Sequence, residues 1–119
     1  MHRLRTASAV VATITLLAGL TACGEDDKAK TDEVVVVKIT QKDGTIEPSG
    51  DRVDVSAGQP VDLEVTSDDA GTLHVHSDPE QEFAYQAGTE TFEIQIDRPG
   101  VVAVESHELD QVIVQLEVR

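Results

Sequence analysis

An all-β sandwich is predicted by three features of the sequence. Apolar residues recur at period two, turn-forming residues interrupt them at short intervals, and no stretch of useful length carries the 3.6-residue period of a helix. Val35, Val37 and Ile39 open the series. Ser49-Gly50 turns the chain into Val53 and Val55, and Gly58-Gln59-Pro60 turns it again into Val61, Leu63 and Val65, with Asp62 and Glu64 between them. Such alternation places one set of side chains on each face of a strand. Asp68-Asp69-Ala70-Gly71 breaks the pattern, and Leu73 and Val75 resume it. An acidic loop through Asp78-Pro79-Glu80 leads to Phe83 and Tyr85, and Ala87-Gly88 is the next turn. Phe92, Ile94 and Ile96 alternate with Glu93, Gln95 and Asp97. Arg98-Pro99-Gly100 turns into Val102 and Val104, which run on to Ser106 and His107, and Val112, Val114, Leu116 and Val118 form the last strand. About seven half-apolar strands in 86 residues need two sheets face to face, so that each buries its apolar side.

Composition narrows the function classes. Nine Lys and Arg against 23 Asp and Glu give a net charge of −14 over 119 residues, which repels nucleic acid and anionic surfaces. The single cysteine, Cys23, excludes an intramolecular disulfide, a zinc finger and an iron–sulfur cluster. The core has to be built from Val, Ile, Leu and Ala around Phe83, Tyr85 and Phe92.

Residues 1–22 read as an export signal rather than as part of the fold. His2, Arg3 and Arg5 form a basic leader, and the fourteen uncharged residues Ala7–Leu20 are too few to span a bilayer. The run ends in Leu20-Thr21-Ala22-Cys23-Gly24, which resembles the lipobox of bacterial lipoproteins. That resemblance implies lipidation at Cys23 and a protein anchored at the extracytoplasmic face of the cell membrane; more than one acyl chain is what stable anchoring requires. Cleavage there leaves seven bases against 23 acids, a charge of −16. Residues 23–33 then form the lipidated cysteine and a polar tether, the ten residues 24–33 reaching at most about 35 Å, and residues 34–119 form the single domain.

Thr45-Ile46-Glu47-Pro48, Val53-Asp54-Val55, Ala57-Gly58-Gln59-Pro60-Val61 and Leu63-Glu64-Val65-Thr66 resemble the opening of a cupredoxin domain. Asp68-Asp69-Ala70-Gly71-Thr72-Leu73-His74 resembles the cupredoxin segment leading to the first copper-binding histidine, and Arg98-Pro99-Gly100 the turn before the copper-ligand strand. Over residues 38–118 the resemblance implies a Greek-key cupredoxin-like sandwich with His74 as a matched copper ligand. Blue copper proteins typically add a second His, a Cys and an axial Met. Here the thiolate position falls on Ser106, no His or Met follows in Glu108–Gln111, and Met1 leaves with the signal. Without a thiolate, blue-copper electron transfer is not expected.

Three histidines remain after cleavage: His74, His76 and His107. Two residues apart on an extended strand, His74 and His76 share a face with their Cβ atoms about 7 Å apart. If Val102, Val104 and Ser106 point inward, His107 points outward with Glu105. Three imidazoles, with Glu105 or Asp78 as an oxygen ligand, suit Cu(II), with Zn(II) second by affinity. The plainer alternative is that these histidines only hydrogen-bond to neighbouring acids in a metal-free module that binds a protein or small ligand. Ser106-His107 is not a nucleophile and base, because adjacent strand residues face opposite sides, and no phosphate loop, dinucleotide motif or calcium loop is present. The sequence therefore predicts a non-enzyme: a lipid-anchored protein with a three-histidine site for copper, or no metal at all, and a metal-handling protein as its partner.

Overall fold

The computed structural model describes residues 32–119. Cys23, the leader and most of the tether lie outside the described residues.

Nine strands follow one another: β1 (Val35–Lys42), β2 (Thr45–Glu47), β3 (Asp51–Val55), β4 (Pro60–Ser67), β5 (Gly71–Val75), β6 (Gln81–Tyr85), β7 (Gly88–Gln95), β8 (Gly100–Ser106) and β9 (Gln111–Val118). They form a four-stranded sheet in the order β2-β1-β4-β7 and a five-stranded sheet in the order β3-β9-β8-β5-β6. The strand count exceeds the expected seven in part because of β2. Three residues with one apolar side chain, Ile46, are too short to display alternation. What creates β2 is the turn before it: Asp43 and Gly44 both take positive φ, 51° and 73°, the conformation a two-residue hairpin needs.

Two parallel pairings knit the ends of the sandwich. β1 runs beside β4 from Val35 opposite Val61 to Gln41 opposite Ser67, and β3 runs beside β9 from Asp51 opposite Val114 to Val55 opposite Val118. The remaining neighbours are antiparallel.

The period-two pattern lands as the sequence predicts. Val37, Ile39, Val61, Leu63 and Val65 from one sheet meet Leu73, Val75, Val102, Val104, Leu116 and Val118 from the other in a single core. Each such side chain contributes about 1.5–3 kcal/mol when fully buried. At one place two consecutive residues are buried. Val104 pairs with Val114 and Glu105 with Val112, so Ile113 is the extra residue of a bulge and turns inward beside Val114.

Among the rings, Tyr85 is buried, and Phe83 and Phe92 stack at 5.1 Å on the border of the core. The Tyr85 hydroxyl donates to Oε1 of buried Gln41, carrying a polar contact across the interior from one sheet to the other. Burial first, then the nearby Glu108 and Asp69 charges, raises the phenol above its usual pKa and keeps it protonated as a donor. Gly71 stands opposite Tyr85, and a Cβ there would occupy the space of the Tyr85 hydroxyl. This close approach, not backbone flexibility, is why residue 71 is glycine.

Candidate functional site

β5 has Gly71, Leu73 and Val75 buried and Thr72 and His74 half-buried on the outer side. His74 therefore faces out of the five-stranded sheet. In register it lies between Glu82 of β6 and Glu105 of β8, so three strands place an acid, a histidine and an acid in one row. His76 follows just past the end of β5, where its backbone N–H still bonds the Ala103 carbonyl at 2.9 Å and extends the ladder. That bond keeps His76 in phase with His74. Their rings lie 4.4 Å apart at 36°.

The chain then bends back. Ser77 Oγ donates to the Pro79 carbonyl at 2.8 Å and accepts from Gln81 Nε2 at 3.1 Å, closing the loop on itself. Asp78 pairs with Arg98 at 2.7 Å, tying that loop to the turn before β8. The next carboxylate, Glu80, is thereby returned over the histidines. Glu80 Oε1 lies 3.1 Å from His76 Nδ1, and Oε2 lies 3.2 Å from His74 Nε2. On the other side of His76, Nε2 lies 2.9 Å from Glu105 Oε2, whereas Glu82 is 3.9 Å from His74 Nε2, beyond a hydrogen bond.

Both nitrogens of His76 face a carboxylate. Hydrogen bonding to Glu105 foremost, and then to Glu80, raises its pKa above the ordinary imidazole value. The same contacts, with His76 first and His74 second, lower the pKa of Glu80. An imidazole held between two carboxylates marks a place that favours positive charge.

One ligand atom from each of His74, His76 and Glu80 falls within 4.8 Å of the others, the spacing at which a metal ion can sit between them. Of the three histidines predicted from sequence, the structure brings two together and leaves the third out of this group. His107 does point outward, as its phase requires, since Ser106 before it is buried and His107 is exposed. Its position along the sheet differs. The His107 N–H bonds the Thr72 carbonyl at 3.0 Å, and the adjacent Glu108 carboxylate accepts the Thr72 N–H at 2.9 Å. His107 is thus held opposite Thr72, about 7 Å along the strand from His74 and on the side away from His76 and Glu80. Asp78, considered as an oxygen donor, is engaged with Arg98 instead. Glu80 takes the third place. It is the fourth residue after His76, and the spacing His-x-His-x-x-x-Glu around Asp78-Pro79 is the signal in the sequence that marks it.

The blue-copper ligand set does not fit these residues. Ser106, at the thiolate position, is 1 % exposed on the inner face, and its Oγ accepts the Leu109 N–H at 3.3 Å. His74 is on the opposite face of the same sheet. A copper–thiolate site cannot be assembled from two faces of one sheet.

No family model matches the chain, and no curated protein sequence matches it. Solved structures do. The fold is similar to a mutant of amicyanin in its Cu(I) form, with 10 % identity over 72 % of this chain and 82 % of that one and a TM-score of 0.55. It is also similar to a multicopper oxidase, with 14 % identity, 74 % and 44 % coverage and a TM-score of 0.55. The copper nitrite reductase from Nitrosomonas europaea matches with 16 % identity, 72 % and 41 % coverage and a TM-score of 0.50. The chain spans less than half the length of these two enzymes. The likeness is one of architecture: the domain is a cupredoxin-like β-sandwich.

Proposed function

We propose that this protein is a lipid-anchored, extracytoplasmic metal-binding module that holds a divalent ion through His74, His76 and Glu80 and passes it to a metal-handling partner. The observation that carries the reading is the convergence of two imidazoles from one strand face with a carboxylate returned to them by a closed loop. Two nitrogen donors and one oxygen donor suit Cu(II) and Zn(II), and affinity favours copper where both are available. The copper named in the similar structures supports that choice of metal. Lipidation at Cys23 rests on the sequence of the leader and the small residues before the cysteine.

Binding rather than turnover is the role these residues support. The hydroxyl of Ser106 faces the core and the ring of His107 faces solvent, so no nucleophile–base pair is built there. The site is partly open, with His74 and His76 side chains 23 % and 34 % exposed and Glu80 59 % exposed. An ion held there keeps coordination positions facing solvent, as handover requires.

Calorimetric titration of the full chain with Cu(II) and Zn(II), with the copper form followed by electron paramagnetic resonance, tests the reading. Expected are one ion per chain at micromolar affinity or tighter, and a loss of about 100-fold or more in His76→Ala and Glu80→Ala, larger than the 10–100-fold typical of an outer partner. His107→Ala should bind as the unaltered chain does. Weak binding unchanged by all three substitutions would leave the histidines as ion-pair partners of Glu80 and Glu105 on a metal-free surface module.

A further inference from the structure

We propose that Glu105 is the positioning residue of this site: by accepting the His76 Nε2–H it fixes the ring's tautomer and presents Nδ1 to the ion. The inference rests on the metal-binding reading above and assigns the ligating atom of His76 and the residue that selects it.

A carboxylate can only accept a hydrogen bond, so the nitrogen that faces it carries the proton, and a neutral imidazole has only one N–H. Two carboxylates compete for it: Glu105 at 2.9 Å from Nε2 and Glu80 at 3.1 Å from Nδ1. What each side of the ring faces decides the outcome. Beyond Nδ1 lie Glu80 and, through the same carboxylate, His74 Nε2, which makes three donors with His76 itself. Beyond Nε2 the hydrogen-bond partner is Glu105, which accepts. An ion that needs several ligands therefore sits on the Nδ1 side, and Nε2 keeps its proton for Glu105. The result is a carboxylate–histidine–metal relay, in which the outer carboxylate orients the ring and raises its basicity as a ligand.

The fold supports this division of labour. Glu105 stands on β8, which is paired on both sides, to β5 and to β9. At 32 % exposure it is the most sheltered of the acids around the pair, against 59 % for Glu80 and 66 % for Glu82. An orienting group belongs on a rigid element. Glu80 is carried by a loop, and a carboxylate that must open to admit and release an ion is better placed there.

Long-range ¹H–¹⁵N correlation spectra of the ¹⁵N-labelled full chain read the tautomer directly, above the pH at which the ring loses its second proton. In the unaltered metal-free protein His76 should be the Nε2–H tautomer, and adding Zn(II) should shift His76 Nδ1 and His74 Nε2. Glu105→Ala should release the tautomer preference and weaken Zn(II) binding about 10–100-fold. Glu105→Gln, whose amide oxygen still accepts, should restore most of both. A protein that binds Zn(II) equally well with Glu105→Ala, or that shows Zn(II) on Nε2 of His76, overturns the assignment and leaves metal binding standing. An unaltered chain with no affinity for Zn(II) or Cu(II) overturns the metal reading and this assignment with it.

Discussion

The two faces of β5 and β8 make opposite use of neighbouring residues. Inward, Leu73, Val75, Val104 and Ser106 have almost no exposed surface and are held by packing. Outward, Glu82, His74 and Glu105 stand in one row across three strands and face solvent, and at one end Glu80 pairs with His74 and His76 with Glu105. One residue of displacement along the chain moves a side chain from one regime to the other. In this domain the position that resembles a thiolate site went inward and became part of the packing, while the donors that could hold an ion lie on the outer face. The core and the candidate site are thus chemically independent although β5 and β8 contribute to both.

That independence is tested most forcefully by Leu73→Ala. Leu73 is fully buried between His74 and Thr72 in sequence, and deleting its branched end should cost about 2–5 kcal/mol of stability through lost transfer energy and the cavity left behind. Chemical denaturation measures it. Below the unfolding transition the same variant should bind metal with unchanged affinity, because the side chain that is removed points away from the histidines. A Leu73→Ala protein that remains folded yet loses its metal would show that the two faces are coupled.

Much of this arrangement was legible in the sequence because β-structure repeats every two residues and burial follows that repeat. The alternation through Val61, Leu63 and Val65, and through Val102, Val104 and Ser106, placed these residues in the core and their neighbours outside, as found. The resemblance to cupredoxins had a different source, particular segments such as Ala57-Gly58-Gln59-Pro60-Val61 and Arg98-Pro99-Gly100. What alternation cannot supply is offset along the strand. His107 has the right phase, but its distance from His76 depends on how β8 pairs with β5, and the bond from His107 N–H to the Thr72 carbonyl sets that register across 35 residues of chain. In the sequence Glu80 reads only as one residue of the acidic loop through Asp78-Pro79-Glu80. Its role depends on a backbone reversal that Ser77, Pro79 and Gln81 produce jointly, and the acids themselves do not reveal it.

A smaller effect is expected from Ser106→Cys, which puts a sulfur at the position where the resemblance to blue copper proteins would have it. Since Ser106 faces the core, the new thiol should remain unligated, and Cu(II) bound at His74 and His76 should show no intense thiolate-to-copper absorption. Stability should change by about 1 kcal/mol, the scale of the single hydrogen bond from the Leu109 N–H. Appearance of the absorption band would mean that the two faces can exchange, which the packing around Ser106 does not permit.

The smallest effect separates the faces by pH. Because contact with Glu105 and Glu80 raises the pKa of His76 in the folded protein, the stability it contributes is fully present below the unfolded imidazole pKa and is lost as pH rises through the folded value. Glu80 behaves in the opposite sense. Its lowered pKa gives stability that is present above the usual carboxylate value and lost as pH falls through the folded one. The ion pairs therefore help most in the mildly acidic window between the two, and only weakly, since water screens groups this exposed. Thermal unfolding of the unaltered chain and of His76→Gln should differ slightly in that window and converge at higher pH, whereas the deficit of Leu73→Ala should persist across it. Metal affinity should move against stability, rising as pH passes the His76 value, because an ion and a proton compete for Nδ1. The conditions under which His76 contributes most to the fold are then those in which it gives up metal most readily, and a metal affinity that does not change with pH would show that His76 is not a ligand.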